Sequence, residues 1–273
     1  MSESNPTSSA DPLFETAQKA AVFEIWDQMQ RIQTDFAIAQ ELTFYYTSPQ
    51  WARAQTVLDL GTGNGYYLRH LINRFPEKTY YGFDSSVEFI NVAKQEHGDV
   101  AAVFSSADLF EVRQTADFVL MRLLLQHVQD VDAVLNHVAS LTSIGGSALI
   151  VDAHDPFRHF HPPLPEFRDF FAAYTGNERQ SGRDRRVSAK VAEAIAASDC
   201  WRQGDTLQLL IPSTIPGNLE LFTRTYLRLV DLVEQVGQMS YDFEMVRAAW
   251  RRWSQRPDAY TQVGLNLIRI DRI

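Results

Sequence analysis

The sequence predicts an α/β protein in which helices cover both faces of a mostly parallel β-sheet. Between residues 56 and 151, short apolar segments alternate with longer segments whose apolar residues recur at helical spacing. The first apolar segment runs directly into a glycine-rich loop that begins at Gly61, and such a connection is typical of nucleotide-binding α/β folds. Of the 273 residues, 45% are hydrophobic and 22% are charged, which is the composition of an ordinary globular protein.

Length and periodicity assign each element. A short, nearly continuous apolar segment is expected to be a strand buried on both faces, and a longer segment with three- and four-residue periodicity is expected to be a helix. Pro49 disfavours helix at Ser48 and ends the first helical stretch there. The predicted elements are two helices within 13–46, strand 56–60, helix 66–75, strand 78–83, helix 87–97, strands 100–105 and 116–121, helix 130–141, strand 147–151, helix 187–198, strand 206–211, helices 219–236 and 241–254, and strand 260–270.

The chain is expected to divide into a central sheet and segments that cover it. Residues 1–11 are rich in Ser, Asn and Pro, so we expect a disordered tail that buries too little apolar surface to fold. The remaining division is an N-terminal helical cap segment at 12–48, a ligand-binding core at 50–155, a cap or substrate insertion at 156–204, and late strands at 205–273 with a helical insertion at about 217–256.

Charge, cysteine content and hydropathy exclude several classes of protein. With 25 basic and 34 acidic residues the net charge is −9, which opposes a general binder of nucleic-acid backbones. Cys200 is the single cysteine, so an intrachain disulfide or a cysteine-based metal site cannot form. The sequence has no apolar run of membrane-spanning length, and its first residues are polar, unlike a signal peptide. We therefore expect a cytoplasmic protein with neither a membrane nor a nucleic acid as partner.

The glycine-rich loop is the strongest candidate ligand site. It reads G-x-G-x-G and comprises Gly61, Thr62, Gly63 and Gly65. Glycines let the backbone approach a ligand, and the start of the next helix offers free N–H groups. A dinucleotide site would need G-x-G-x-x-G, and Asp59, two residues before the first glycine, would repel a pyrophosphate. Asp59 could instead hold an ammonium group, which suggests a ligand that bears an amino acid.

Acidic residues also follow the second and third predicted strands. Asp84, which Ser85 follows, could accept hydrogen bonds from two ribose hydroxyls. Asp108 could accept one from an adenine amino group, with Leu109 and Phe110 on either side of the ring. Either aspartate could instead be a solvated strand-end residue or a helix cap. Because the carboxyl ends of parallel strands meet at one edge of a sheet, one ligand site is expected there.

Five segments in order resemble the class I S-adenosylmethionine-dependent methyltransferases. VLDLGTGNG is similar to that family's glycine-rich motif, GFDSS to its ribose motif and SADLF to its adenine motif, while ADFVLMRLLLQHVQD and GGSALIVDAHD are similar to its fourth and fifth strand segments. The resemblance covers about residues 50–155. It implies a Rossmann-like class I methyltransferase sheet, extended here by N-terminal helices and an inserted helical cap, with S-adenosylmethionine as the cofactor.

Three further residues are assigned to the cofactor site. Met121 and Arg122 stand at the end of the fourth predicted strand, and Tyr45, shortly before the first strand, could close over the cofactor. Arg122 could instead pair with an acidic group of the substrate or form a structural ion pair.

Methyl transfer to a hydroxyl group needs a base, and the candidates are His127, His154 and Asp155. The resembling family often has a histidine near the methionine end of the cofactor at the position of His127, although this residue could equally orient a helix start. His154 and Asp155 follow the fifth strand, over the expected pocket mouth. With Asp152, His159 and His161 they could bind a divalent cation, but the neighbouring prolines indicate an irregular loop, and no metal is assigned.

Two aromatic or apolar stripes lie in the segments added to the core. They are Phe167, Phe170, Phe171 and Tyr174, and then Leu219, Phe222, Tyr226, Leu229 and Val233. Such stripes usually pack into a core, but their position suggests lid helices that enclose a hydrophobic or aromatic substrate. The basic run Arg179, Arg183, Arg185 and Arg186 is either a solvated surface or a grip for an anion or nucleic acid.

We therefore predict methyl transfer from S-adenosylmethionine to a small, hydrophobic or aromatic molecule in specialised metabolism, with O, N or C as the acceptor atom. An RNA or protein methyltransferase that uses the basic run is one alternative. A protein that binds S-adenosylmethionine without transferring its methyl group is another. The apolar stripes also suggest a homodimer contact.

Overall fold

The computed structural model describes residues 20–237 and 239–273. The expected disordered tail at 1–11 and the following residues 12–19 lie outside the described residues. The helices are α1 Ala20–Thr47, α2 Pro49–Arg53, α3 Tyr66–Arg74, α4 Val87–His97, α5 Val131–Leu141, α6 Pro165–Gln180, α7 Val187–Ala196, α8 Asn218–Val236 and α9 Phe243–Ser254. The strands are β1 Thr56–Leu60, β2 Thr79–Asp84, β3 Ala102–Ser106, β4 Ala116–Arg122, β5 Thr142–Ala153, β6 His159–His161, β7 Trp201–Pro212 and β8 Tyr260–Arg272.

One eight-stranded sheet has the order β3-β2-β1-β4-β5-β8-β6, and β7 pairs with β8 outside this path. Strands β1 to β5 pair in parallel, whereas β8 is antiparallel to β5, β6 and β7. The carboxyl ends of β1, β2, β4 and β5 consequently meet at one edge. The predicted α/β fold class is confirmed.

Both faces of the sheet are buried, which explains the continuous apolar run of β1. Val57 packs into a core formed with α1, α3, α4, α6, α8 and α9, whereas Leu58 packs on the opposite face with α5 and α7. Neither side chain is exposed to solvent. Alternate residues of a strand point to opposite faces, so a strand with helices on both sides must be apolar at consecutive positions.

Several elements differ from the prediction. Where two helices were expected within 13–46, the described residues form one continuous helix, α1. Strand β5 begins at Thr142 and β7 at Trp201, each earlier than predicted, because pairing with β4 and β8 extends both strands through glycine and polar residues. The three-residue β6 has no periodicity of its own and was not predicted. The segment 156–204, expected as a cap insertion, thus also supplies β6 and the start of β7 to the sheet.

A buried ion pair joins α1 to the sheet. Arg122, at the end of β4, donates from Nε and Nη2 to the carboxylate of Glu41 at 3.0 and 2.9 Å. The Glu41 side chain is 0% exposed, and the Arg122 guanidinium lies 4.3 Å from the centre of the Tyr67 ring. Of the roles considered for Arg122, the structural ion pair is the one observed.

We expect Glu41→Ala to lower the free energy of unfolding by about 3–5 kcal/mol, because the substitution leaves the Arg122 charge buried without its partner. Urea unfolding followed by circular dichroism measures the change. The control is Asp169→Ala, which removes an exposed ion pair with Arg168 and should leave the midpoint unchanged. Equal midpoints for the two variants would contradict the proposed anchoring role.

Candidate functional site

A cavity of about 1020 Å³ opens at the carboxyl ends of the parallel strands. Residues of β1, β2, β4 and β5 form its floor, and residues of α1, α6 and α8 line it from the other side. Small-molecule sites usually measure about 300–1,000 Å³. The cavity is therefore at the upper end of this range.

Helix α1 lies against the glycine-rich loop and holds Asn64 by two hydrogen bonds. The Asn64 backbone N–H donates to Gln30 Oε1 at 3.0 Å, and its side-chain amide donates to Asp27 Oδ1 at 2.7 Å. Gly63 has a φ of +57°, and a Cβ there would overlap Gln30 Oε1. Sequence reasoning missed Gln30 and Asp27, because helical periodicity gives no sign of which loop a polar helix residue will contact.

The predicted glycines have different roles. Gly61 and Thr62 line the cavity. Gly63 and Gly65 are buried and are not among its lining residues, and their assignment to the cofactor site stays a prediction. Gly63 donates its N–H to Asp84 Oδ2 at 2.8 Å, and Gly65 packs closely against neighbouring side chains of α4 and β3.

Two buried carboxyl groups face the cavity from the ends of β1 and β2. Burial raises the pKa of Asp59 to about 7. Burial also raises the pKa of Asp84, although backbone N–H groups of Ser86 and Gly63 oppose the shift. The neighbouring Ser85 lines the cavity as predicted. Both carboxyl groups are at the positions expected from the sequence.

Asp108 lies at the end of β3. Its Oδ1 accepts from the backbone N–H of Phe110 at 2.9 Å and so caps the short turn Leu109–Glu111. The capping role considered for Asp108 is therefore observed, and Asp108, Leu109 and Phe110 also line the cavity. The two interpretations of Asp108 are thus compatible.

Two assignments to the cofactor site are wrong. Met121 is fully buried in the core beside α5 and α7, because it points to the opposite face of β4 from Arg122, its neighbour on the cavity wall. Tyr45 is also buried, and its hydroxyl lies 2.9 Å from that of Tyr67. Tyr67 lines the cavity, whereas Tyr45 packs behind it.

The backbone turns sharply after β4. Leu123 has a φ of +54° and is the one non-glycine residue with positive φ in the described part of the chain. Its N–H donates to Val151 O of β5 at 2.7 Å, and Leu123 and Leu124 both line the cavity. The turn leads into the 3-10 segment Leu125–His127.

Both candidate histidines line the cavity. His127 contacts the ring of Trp26 edge to face, with 5.9 Å between ring centres. Its charge opposes the burial that raises the pKa of Asp84, and likewise that of Asp152, which burial raises to about 6. His154 follows β5, where Asn266 Nδ2 lies 2.9 Å from its Nδ1. His127 therefore lies towards the carboxylates and His154 towards the far end of the cavity.

Asp155 is held by two arginines and is removed from the candidate bases. Its carboxylate accepts from Arg185 Nε and from Arg158 Nη2, each at 2.7 Å. Burial opposes ionisation, but the two guanidinium groups outweigh it and hold the pKa of Asp155 below its usual range. A carboxylate with such a low pKa is a weak base.

Three of the four arginines in the basic run pair with acidic residues. Arg183 forms a buried ion pair with Glu178, and Arg185 binds Asp155 and Gln126. Arg186 pairs with Asp184 at the surface. Glu178, Asp155 and Gln126 precede the run and Asp184 lies within it, whereas Arg179 is exposed on α6.

The end of the cavity beyond His154 is mainly aromatic. Phe171, Tyr174, Phe222 and Tyr226 line it. Phe167 and Phe170, from the same predicted stripe, are fully buried in the core behind. The stripes are therefore part lid and part core. His159 and His161 lie exposed on β6, and among residues 20–237 and 239–273 no group of three or more His, Cys, Asp or Glu is arranged to hold a metal ion.

None of the described helices is both long and apolar enough to cross a membrane. A family model described as "Methyltransferase domain" matches residues 29–193. No curated protein matches the chain significantly.

Several solved structures are similar to the chain. For StiE O-MT residues 961-1257 the identity is 14% and the TM-score 0.49, over 88% of this chain and 81% of that chain. A protein from work on the conversion of a disulfide bond into a thioacetal group during echinomycin biosynthesis has 16% identity and a TM-score of 0.47. The match covers 80% of this chain and 76% of that chain. Geranyl diphosphate C-methyltransferase from Streptomyces coelicolor A3(2) has 12% identity and a TM-score of 0.46. The match covers 80% of this chain and 70% of that chain.

Gly63→Ala should destabilise the protein more than Gly145→Ala, as measured by thermal unfolding. Both glycines have positive φ, but a Cβ at Gly145 would have no atom within 4 Å, whereas one at Gly63 would overlap Gln30. Gly145→Ala is therefore the control. It should lose only the free energy of placing alanine at positive φ, about 1–2 kcal/mol, because it creates no overlap. Equal destabilisation would show that α1 tolerates a side chain beneath it.

Proposed function

This chain belongs to the methyltransferase-domain family, whose model spans more than half of it, and we propose that it methylates a small hydrophobic or aromatic molecule. The observation that carries the proposal is one cavity with two chemically different ends. Asp59, Asp84 and Asp108 line one end, and the aromatic side chains of α6 and α8 line the other. A cofactor and an acceptor can therefore meet inside one enclosed volume.

The acidic end fits S-adenosylmethionine, the cofactor of class I methyltransferases. Both oxygens of Asp84 accept a backbone N–H, from Gly63 and Ser86, which fixes the carboxylate for the two ribose hydroxyls. Asp59 offers a buried carboxylate for the ammonium group, and Leu109 and Phe110 offer apolar surface for the adenine. When bound, the cofactor supplies an electrophilic methyl group on its sulfonium.

The protein's own contribution is positioning and the exclusion of water. Helices α1, α6 and α8 cover the cavity, and the aromatic end binds the apolar body of the acceptor. His154 would take the proton of an acceptor hydroxyl at Nε2 in the tautomer that is protonated at Nδ1, in which the Asn266 amide presents its oxygen rather than Nδ2 to that nitrogen. His127 is the less suitable base, since it lies near the carboxylates of the cofactor end.

The described contacts do not favour RNA as the substrate. Three of the four arginines that would contact a phosphate backbone bind Glu178, Asp155 and Asp184 instead. An enclosed aromatic pocket suits a small acceptor in specialised metabolism better than a polymer. Formation of S-adenosylhomocysteine with a small aromatic acceptor separates methyl transfer from binding of the cofactor alone.

The affinity for S-adenosylhomocysteine, which retains the ammonium group, should rise between pH 5.5 and 7.5. With a pKa of about 7, Asp59 is mostly protonated at pH 6 in the free protein and must lose that proton to bind a cation. The rise approaches tenfold per pH unit well below pH 7, and the α-amino group of the ligand stays protonated up to a pH of about 8. Calorimetry at several pH values measures the affinity.

Asp59→Asn is the control for this pH dependence. The variant should bind more weakly at pH 7.5 and should lose most of the slope of affinity against pH, so that any remaining slope reports Asp84. A wild-type affinity that is constant over this range would remove Asp59 from the ammonium site.

For acceptors methylated at oxygen, His154→Ala should lower kcat by about 10²–10⁴-fold and leave the affinity for S-adenosylhomocysteine unchanged. Production of S-adenosylhomocysteine from a panel of phenols and other aromatic compounds gives kcat. His127→Ala is the matched variant, and a larger loss of kcat there would move the base to the cofactor end. If neither variant lowers kcat, no histidine acts as the base.

A further inference from the structure

The guanidinium of Arg158 lies at the aromatic end of the cavity with part of its hydrogen-bonding capacity unused. Its Nη2 donates to Asp155, but its Nε and Nη1 are buried and have no hydrogen-bond partner among the described residues. The guanidinium carbon lies 3.6 Å from the centre of the Phe171 ring, which holds the group flat against an aromatic face. Buried N–H donors without partners are costly, and more so when they are charged.

A second unpaired polar group lies beside Arg158. The Tyr226 hydroxyl is buried and has no hydrogen-bond partner in the described part of the chain, and its ring centre lies 5.2 Å from the Arg158 guanidinium carbon. Thr225, the preceding residue of α8, also has a buried hydroxyl without a partner among these residues. All three side chains line the same cavity. Hydrogen-bond donors of the protein thus converge at the place where the acceptor would bind.

The charge on this part of the wall is positive. Arg158 and Arg185 contribute two cations, and Asp155, bound to both, contributes one anion. Asp152 is not among the lining residues, and it already accepts backbone N–H groups of Gln126 and Ala153. Arg185 uses all three of its nitrogens on Asp155 and Gln126. The unused donors therefore belong to Arg158.

We propose that the methyl acceptor is an acid, and that its carboxylate or phosphate group binds Arg158 and Tyr226. The inference rests on the proposed function, and it adds the polar group that the acceptor must carry. An oxyanion supplies acceptor atoms for a guanidinium and a hydroxyl at once, and such charge-assisted hydrogen bonds are the strong ones. Arg158 and His154 stand at opposite ends of the turn Asp155–Phe157. The acidic group and the reacting atom of the acceptor are consequently expected close together in a small molecule.

The test is calorimetric titration of protein saturated with S-adenosylhomocysteine. The carboxylate probes are phenylacetate, cinnamate and indole-3-acetate, each compared with its primary amide, and phenyl phosphate compared with phenol represents the phosphate class. We expect at least one acid to bind about tenfold more tightly than its neutral partner. If the ratio of acid affinity to neutral-partner affinity is larger for the carboxylates, the acidic group is a carboxylate. If it is larger for phenyl phosphate, the group is a phosphate.

Arg158→Gln should abolish this preference and leave the affinity for S-adenosylhomocysteine intact. Arg186→Gln, which removes a surface guanidinium paired with Asp184, should keep the preference. Tyr226→Phe removes only the hydroxyl, keeps the aromatic packing, and should weaken acid binding several-fold. It is the second variant, because it tests the same contact if Arg158→Gln fails to fold.

Three results would overturn the inference alone: equal affinities for acids and their neutral partners, a preference that survives in Arg158→Gln, or no binding by any acid while S-adenosylhomocysteine binds. A wild-type protein that does not bind S-adenosylhomocysteine would overturn the proposed function, and this inference with it.

Discussion

Helix α1 can lie across the glycine-rich loop because residue 63 has no side chain. The absence of a Cβ lets Gln30 reach the backbone of Asn64, and Asp27 then holds the side chain of the same residue. Further along the helix, Glu41 meets Arg122 at the end of β4. These contacts make α1 part of the cavity wall, and the acidic end of the cavity is buried because of them. The raised pKa values of Asp59 and Asp84 follow from that burial.

The two ends of the cavity treat charge in opposite ways. At the end of β1, Asp59 is buried without a cation bound directly to it, so its charged form is costly in the free protein. Beyond His154, the carboxylate of Asp155 is tied to two guanidinium groups, and a cation is left in excess. A positively charged ligand group would be stabilised near Asp59, and a negatively charged one would be stabilised at the end beyond His154. Under the proposed function, this polarity would orient the cofactor and the acceptor in the cavity.

The local parts of the site could be predicted from sequence, and the long-range parts could not. A buried strand, a glycine loop and the aspartates at the carboxyl ends of β1 and β2 depend on patterns within a few residues, and the structure has each of them at the expected position. Glu41 and Arg122 are 81 positions apart, and Asp155 and Arg185 are 30 apart, so no local pattern links either pair. Met121 was misassigned for a different reason. An apolar run does not tell which of two buried faces a residue occupies.

At the turn after β4, a residue of the cavity wall has an unfavourable backbone conformation. Leu123 adopts a backbone conformation that glycine would take at lower free energy, by about 1–2 kcal/mol. Its hydrogen bond to Val151 needs only the backbone, so glycine would keep that bond as well. The protein nevertheless has leucine here, and its side chain fills part of the wall between the glycine loop and the aromatic end. A glycine at this position would relieve the backbone, but it would also remove the leucine side chain from the cavity wall. The gain in stability would therefore leave a wider space around the ligands.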